Sequence, residues 1–141
     1  MTDNATMTIS ELAKAIITLA NEKNVMLVLA ESCTGGMIAA ALTDIAGSSA
    51  VLDRGLVTYS NQAKQDLLGV SDEILASHGA VSAETAIAMT TGALLKTPAA
   101  RLAASVTGIA GPSGGSGALS LSLSVVWNVF AKLCPSVSSD F

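Results

Sequence analysis

Charge is scarce in this sequence. Charged residues fill 13% of its 141 positions, about half the usual share for a globular chain. Half of the chain is nevertheless hydrophobic, which argues against intrinsic disorder. Aromatic side chains are scarcer still, at 3%: Tyr59, Trp127, Phe130 and Phe141. The core must therefore be assembled from Ala, Leu, Val and Ile. Seven Lys and Arg against eleven Asp and Glu leave a net charge of −4 with no basic cluster. Neither the cationic groove nor the stacking rings of a nucleic-acid surface are present. The two cysteines, Cys33 and Cys134, and the one histidine, His78, show no metal-site spacing, so no metal is expected. The polar start MTDNATMTIS lacks the basic and apolar regions of a secretory signal. The longest charge-free stretch, Leu102 to Ala131, is broken by Gly108, Gly111, Pro112, Gly114, Gly115 and Gly117. Its apolar remainder falls short of the ~20 residues that cross a bilayer. These absences predict a cytoplasmic protein with neither a nucleic-acid nor a membrane partner.

At roughly 100–200 residues per domain, the length fits a single domain, residues 1–141. Thr8 and Glu11 have capping-box spacing and open a helix over about Ile9 to Glu22, with Leu12, Ile16, Ile17 and Leu19 as its apolar stripe. Val25 to Leu29 reads as a strand buried on both faces. Gly35 to Ile45 reads as a helix closed by Gly47-Ser48-Ser49, and Leu56 to Tyr59 as a second strand. Ser60 caps a helix through Leu68, Ser71 one ending near His78-Gly79, and Ser82 one through Leu95. Leu102 to Thr107 is a third strand. From Leu119 apolar residues alternate with Ser120, Ser122 and Ser124, the pattern of an edge strand with one wet face. Strands alternating with helices indicate an α/β layered fold with a largely parallel sheet.

Three strings have the composition of a site. Ala30-Glu31-Ser32-Cys33-Thr34-Gly35-Gly36 lies between the first strand and a helix, where open α/β folds bind ligands. It places Ser32 at the rim of the sheet, and amides at the following helix start can hold a phosphate or a developing oxyanion. Spacing alone favours a glycine-containing turn with a Ser or Thr cap. In Thr58-Tyr59-Ser60-Asn61-Gln62-Ala63-Lys64, helical side chains lean toward the N-terminus, so the Lys64 amine reaches back over the strand end beside Tyr59. The positive helix end and partial burial both disfavour its charged form. A neutral lysine can serve as base for a serine hydroxyl; the competing reading is an exposed lysine on a solvated face. Thr107-Gly108-Ile109-Ala110-Gly111-Pro112-Ser113-Gly114-Gly115 fits a phosphate or sugar cradle and a flexible turn equally well. His78 reads as a turn or cap residue, and Cys33 as a packed small residue, since no histidine is placed to activate it.

Taken together, AESCTGG (30–36), GSS (47–49), VTYSNQAK (57–64), LGV (68–70), HGAVS (78–82) and TGIAGPSGG (107–115) resemble the C-terminal domain of the competence/damage-inducible CinA family. The six strings stand in family order across residues 9–116. The resemblance implies a three-layer α/β/α sandwich with a largely parallel or mixed sheet. It also implies hydrolysis of the carboxamide of nicotinamide mononucleotide (NMN) to nicotinic acid mononucleotide and ammonia, in pyridine-nucleotide salvage and without metal or cofactor. By similarity Ser32 is the nucleophile, Lys64 the base, and Tyr59 the residue that orients or relays protons between them. Thr107, Gly108 and Gly111 would contact substrate, Gly35 and Gly36 would shape the oxyanion side, and Ser48 would touch phosphate or ribose. A homo-oligomer is in keeping with the family.

The tail departs from that pattern. After GPSGG the family continues with a Lys-Pro-x-Gly turn, a strand and a closing helix whose arginines hold the substrate phosphate. Residues 117–141 have neither that turn nor any arginine, and Arg54 and Arg101 are not at the family's positions. This tail reads as a truncated or frameshifted ending. It sets a second expectation beside the amidase: a non-catalytic nucleotide-binding or interaction domain, or an inactive family member.

Overall fold

The computed structural model of the chain describes residues 6–109 and the backbone of residues 121–127. Helix α1 spans Ile9–Glu22, with the capping box in place: the Thr8 side chain accepts from the Glu11 amide at 3.2 Å, and Glu11 accepts from the Thr8 amide at 2.7 Å. Thr8→Ala removes half of that exchange, and a melting experiment should register a loss of about 1 kcal/mol. Its buried face keeps only Ile17 of the expected stripe. Ala13, Ile17 and Ala20 pack inward, while Leu12, Ile16 and Leu19 remain about half exposed. Ala13, Ile17 and Ala20 pack with Leu27 and Leu29 of the first strand region, and the larger side chains flank that contact. Ile16 and Leu19 line a cavity of about 460 Å³ together with Val25, Leu27 and Leu102.

Strand β1 (Leu27–Glu31) is buried along its whole length. Leu27 and Leu29 pack with Ala13, Ile17 and Ala20 of α1 and with Leu42 of α2 (Met37–Thr43). Val28 and Ala30 face the opposite way. They meet Leu68 of α3 (Asn61–Leu68) and Met89, Ala93 and Leu94 of α5 (Ala83–Lys96). The period-two alternation of one strand thus divides the core into two layers, one on each side of the sheet. That is the expected α/β/α sandwich.

A 3-10 turn, Ser48–Ala50, leads into β2 (Leu52–Val57). This strand begins four residues before the predicted one. Asp53, Arg54 and Gly55 break the apolar pattern because β2 lies at the sheet edge, with those residues exposed. Helix α4 (Asp72–His78) starts at the Ser71 cap, as read from the sequence, and α5 starts at Ser82. Strand β3 spans Leu102–Gly108 and β4 spans Leu121–Trp127.

The sheet order is β2-β1-β3-β4. Strands β2 and β3 pair parallel to β1, whereas β4 pairs antiparallel to β3 with Ser105 opposite Ser124. The sheet is therefore mixed, and the serine-alternating segment supplies an edge strand. Parallel pairing of the first three strands brings the residues after Glu31, Val57 and Gly108 to one end of the sheet. All three candidate strings begin there. Among the described residues, no helix is long and apolar enough to cross a membrane.

Candidate active site

The floor of the site is built by continuing the sheet one residue past β1 and β2. The Ser32 amide donates to Val106 O at 2.9 Å, and the Thr58 amide donates to Glu31 O at 2.8 Å. Ser32 is thereby fixed between two neighbouring strand ends, 6% exposed. The chain then turns at Ser60, whose hydroxyl accepts from the Ala63 amide at 3.0 Å and starts α3. Lys64 falls in the first turn of that helix. Its side chain runs back toward the helix start, over the end of β2.

The Lys64 amine is 1% exposed. It donates to Ser32 Oγ at 2.9 Å, to Thr58 O at 2.9 Å and to Tyr59 O at 3.3 Å. No carboxylate pairs with it among the described residues. Burial pulls the lysine below its ordinary pKa, with the nearby Cys33 thiol acting weakly in the other direction. The three oxygens around the amine match the three hydrogens of an ammonium, and it is the burial-lowered pKa that favours the neutral form. A neutral amine has two hydrogens, which the Thr58 and Tyr59 carbonyls accept, and its lone pair then faces the Ser32 hydroxyl. That arrangement can draw a proton from an alcohol.

Ser32 and Lys64, 32 positions apart in sequence, are thus brought within hydrogen-bond distance. Tyr59, expected to orient or relay protons between the two, meets the lysine through its backbone. Its carbonyl touches the lysine, while its side chain is 69% exposed at the rim. Gly35 and Gly36 form the turn after Ser32 with φ of 60° and 101°. A side chain on Gly36 would also press on Val57, whose Cγ2 lies 3.4 Å from the position of a Cβ. Their amides are engaged: Gly35 donates to Ser32 O at 3.0 Å and Gly36 to the Glu31 carboxylate at 3.2 Å.

The start of α2 is therefore not an open cradle for phosphate, because the chain's own carboxylate fills it. Glu31 Oε2 accepts from Thr34 Oγ1 (2.6 Å), the Gly36 amide and the Ile38 amide (3.1 Å), and Oε1 accepts from the Ala39 amide (2.8 Å). The sequence assigns Glu31 no role beyond its place in string 30–36. The signal was available only as an acidic side chain ending a fully apolar strand.

The remaining candidates are spread around the same end of the sheet and beyond it. Thr107 is buried at the end of β3, and its hydroxyl donates to Ala80 O at 2.7 Å, tying the strand to the segment before α5. Gly108 is the last residue of β3. Gly111 lies outside the described residues. Ser48 donates to Thr43 O at 3.5 Å and lines a cavity of about 380 Å³ with Ser49, Asp53 and Arg54, a wall that includes neither Ser32 nor Lys64. His78 lies 3.7 Å from the Glu84 carboxylate on the surface. Cys33 is half-buried with a free thiol.

Known proteins share this arrangement of sequence and fold. A profile of the CinA C-terminal domain matches residues 9–126, ten residues beyond the stretch in which the strings were recognised. The chain is 47% identical to the nicotinamide-nucleotide amidohydrolase PncC of Escherichia coli K12, over 93% of this chain and 76% of that protein. It is 57% identical to a CinA-like protein of Geobacter sulfurreducens over 72% of this chain. A putative competence-damage inducible protein of Caldicellulosiruptor bescii is 51% identical over 74% of this chain. The chain spans only about a quarter of the length of these last two relatives. Among solved structures, the competence/damage inducible protein CihA of Agrobacterium tumefaciens superposes with a TM-score of 0.74 at 59% identity, covering 77% of this chain and 65% of that one. A CinA superfamily protein of Enterobacter cloacae superposes with a TM-score of 0.78 at 31% identity, covering 90% and 82%. The chain belongs to the CinA C-terminal domain family.

Proposed function

We propose that this chain is an amidohydrolase that converts NMN to nicotinic acid mononucleotide and ammonia, with Ser32 as nucleophile and Lys64 as base. The observation that carries the reading is the buried 2.9 Å contact between Lys64 Nζ and Ser32 Oγ, with the amine's other contacts made to carbonyls. The amidohydrolase name of the E. coli relative supports the substrate class.

In this reading the Ser32 oxygen attacks the carboxamide carbon while its proton passes to Lys64 Nζ. The tetrahedral intermediate collapses by breaking the carbon–nitrogen bond, and Lys64 returns the proton to the departing nitrogen, which leaves as ammonia. Water then attacks the resulting ester, again giving a proton to Lys64. Breaking the ester bond, with Lys64 returning that proton to the Ser32 oxygen, restores the serine hydroxyl and releases the nicotinic acid product, which ionises in water. Tyr59 serves by holding the amine through its carbonyl, with its ring at the mouth of the site. Thr107 and Gly108, with Gly111 beyond them, form the substrate side; Gly35 and Gly36 shape the turn, and Ser48 stands further out as a ribose or phosphate contact. The chemistry requires no metal or cofactor. We place the reaction in the cytoplasm, in pyridine-nucleotide salvage, and include self-association, which the exposed row of Leu12, Ile16 and Leu19 supports.

The test is ammonia release from NMN by the purified chain. The expected result is turnover that Ser32→Ala abolishes. Binding of NMN without any ammonia release would replace this reading with that of a nucleotide-binding domain.

A further inference from the structure

Glu31 is 1% exposed and pairs with no cation among the described residues. Burying a carboxylate in that way is costly unless hydrogen bonds replace its water. Four donors do so here, and all come from residues 34–39, directly after Ser32. An ordinary capping side chain would satisfy one amide at the helix start. Glu31 satisfies three amides and a hydroxyl, and it does so from the preceding strand. The turn is therefore pinned twice: at Ser32 by β3, through the bond to Val106 O, and at residues 34, 36, 38 and 39 by one carboxylate.

Between those anchors, the Cys33 and Thr34 amides donate to no acceptor among the described residues. In nucleophile turns that join a strand to a helix, the amide following the nucleophile supplies an oxyanion donor. A turn free to rotate would lose both this donor and the serine's aim at Lys64.

We propose that Glu31 is a positioning residue: its carboxylate holds turn 32–36 so that Ser32 Oγ stays on Lys64 Nζ and the Cys33 amide stays open to a developing oxyanion. This rests on the reading of Ser32 as nucleophile. It adds a role for a buried acid that takes no part in proton transfer.

The experiment is the rate at which a fluorophosphonate probe labels the purified chain. The Ser32 oxygen forms a bond to phosphorus, fluoride leaves, and the serine proton passes to Lys64. The rate reports attack geometry without requiring NMN to bind. Glu31→Gln sets an amide NH2 among backbone donors and should slow labelling about a hundredfold, the scale of a misplacement near 1 Å. Thr34→Val should slow it about tenfold by removing one charge-assisted hydrogen bond, and Thr34→Ser should recover it to within about threefold. The control is Ser71→Ala, which removes the cap bonded to the Ile74 amide at 3.2 Å on α4, outside turn 32–36. It should lower the melting temperature and leave labelling at the unaltered rate.

If Glu31→Gln and Thr34→Val label at the unaltered rate, the positioning role is overturned while the nucleophile stands. Equal slowing in Ser71→Ala, at matched melting temperature, overturns it in favour of general destabilisation. Should Glu31→Gln fail to fold, the Thr34→Val and Thr34→Ser pair decides. No labelling of the unaltered chain overturns the nucleophile reading and this role with it.

Discussion

Lys64→Met should lower ammonia release from NMN by roughly a thousandfold, within the range that a positioned general base contributes. Methionine matches the lysine stem in length and apolar character, so it fills the same buried space while removing the nitrogen. Turnover should fall with little change in KM, because Lys64 Nζ touches the reacting serine and two carbonyls. A large rise in KM with unchanged kcat would instead make the lysine a binding group.

The same substitution has a signature in stability. The folded pKa of Lys64 is lowered, chiefly by burial. Between the folded and unfolded pKa values, the unfolded chain therefore binds more protons, and stability rises with pH there. The penalty for burying the ammonium is complete below the folded pKa and disappears as pH rises past the unfolded one. Lys64→Met removes this dependence. The difference between the two unfolding curves should shrink as pH climbs toward the ordinary lysine range. A difference that does not change with pH would contradict the lowered pKa.

Gly92→Ala should destabilise the fold by about 2–3 kcal/mol, at the upper end of what overpacking costs. A Cβ on Gly92 of α5 would lie 1.8 Å from Leu68 O and 2.8 Å from Leu68 C. Those are backbone atoms at the end of α3, so no rotamer change relieves the clash and one helix must move. In an exposed helix the same substitution would stabilise by about 1 kcal/mol through propensity. Here the steric term outweighs it. On the usual scaling, the melting temperature should drop by about 5–15 °C. Helix α3 also carries Lys64, so any displacement moves Nζ from Ser32. The folded fraction should lose turnover as well. A variant with unchanged melting temperature would mean that the two helices are less closely packed than the structure has them.

The parts of this fold that local chemistry dictates were legible in the sequence. Thr8, Ser60, Ser71 and Ser82 each marked a helix start because their hydroxyls compete for the first amides. The reach of Lys64 toward the strand end followed from the direction of helical side chains. What depends on the third dimension was not legible. Of the apolar stripe of α1, Ile17 faces the core, but its buried neighbours are Ala13 and Ala20 and not Leu12, Ile16 or Leu19. Strand β2 was placed too late because an edge strand tolerates Asp53 and Arg54, which look like turn residues. Tyr59 stands beside Lys64 in the sequence, but that its contact with the lysine is made by a backbone carbonyl is not written there. Glu31 is marked only as an acid ending an apolar strand, since its partners come together only once α2 folds back over the end of β1.

The central claim is that a neutral amine faces the serine at neutral pH. Nitrogen NMR of 15N-lysine-labelled protein tests it most directly, with the Lys64 signal identified by its loss in Lys64→Met. This nitrogen should titrate below the ordinary lysine range, and at the pH where ammonia release from NMN begins to rise. Titration together with exposed Lys14, Lys23 and Lys96 would contradict it.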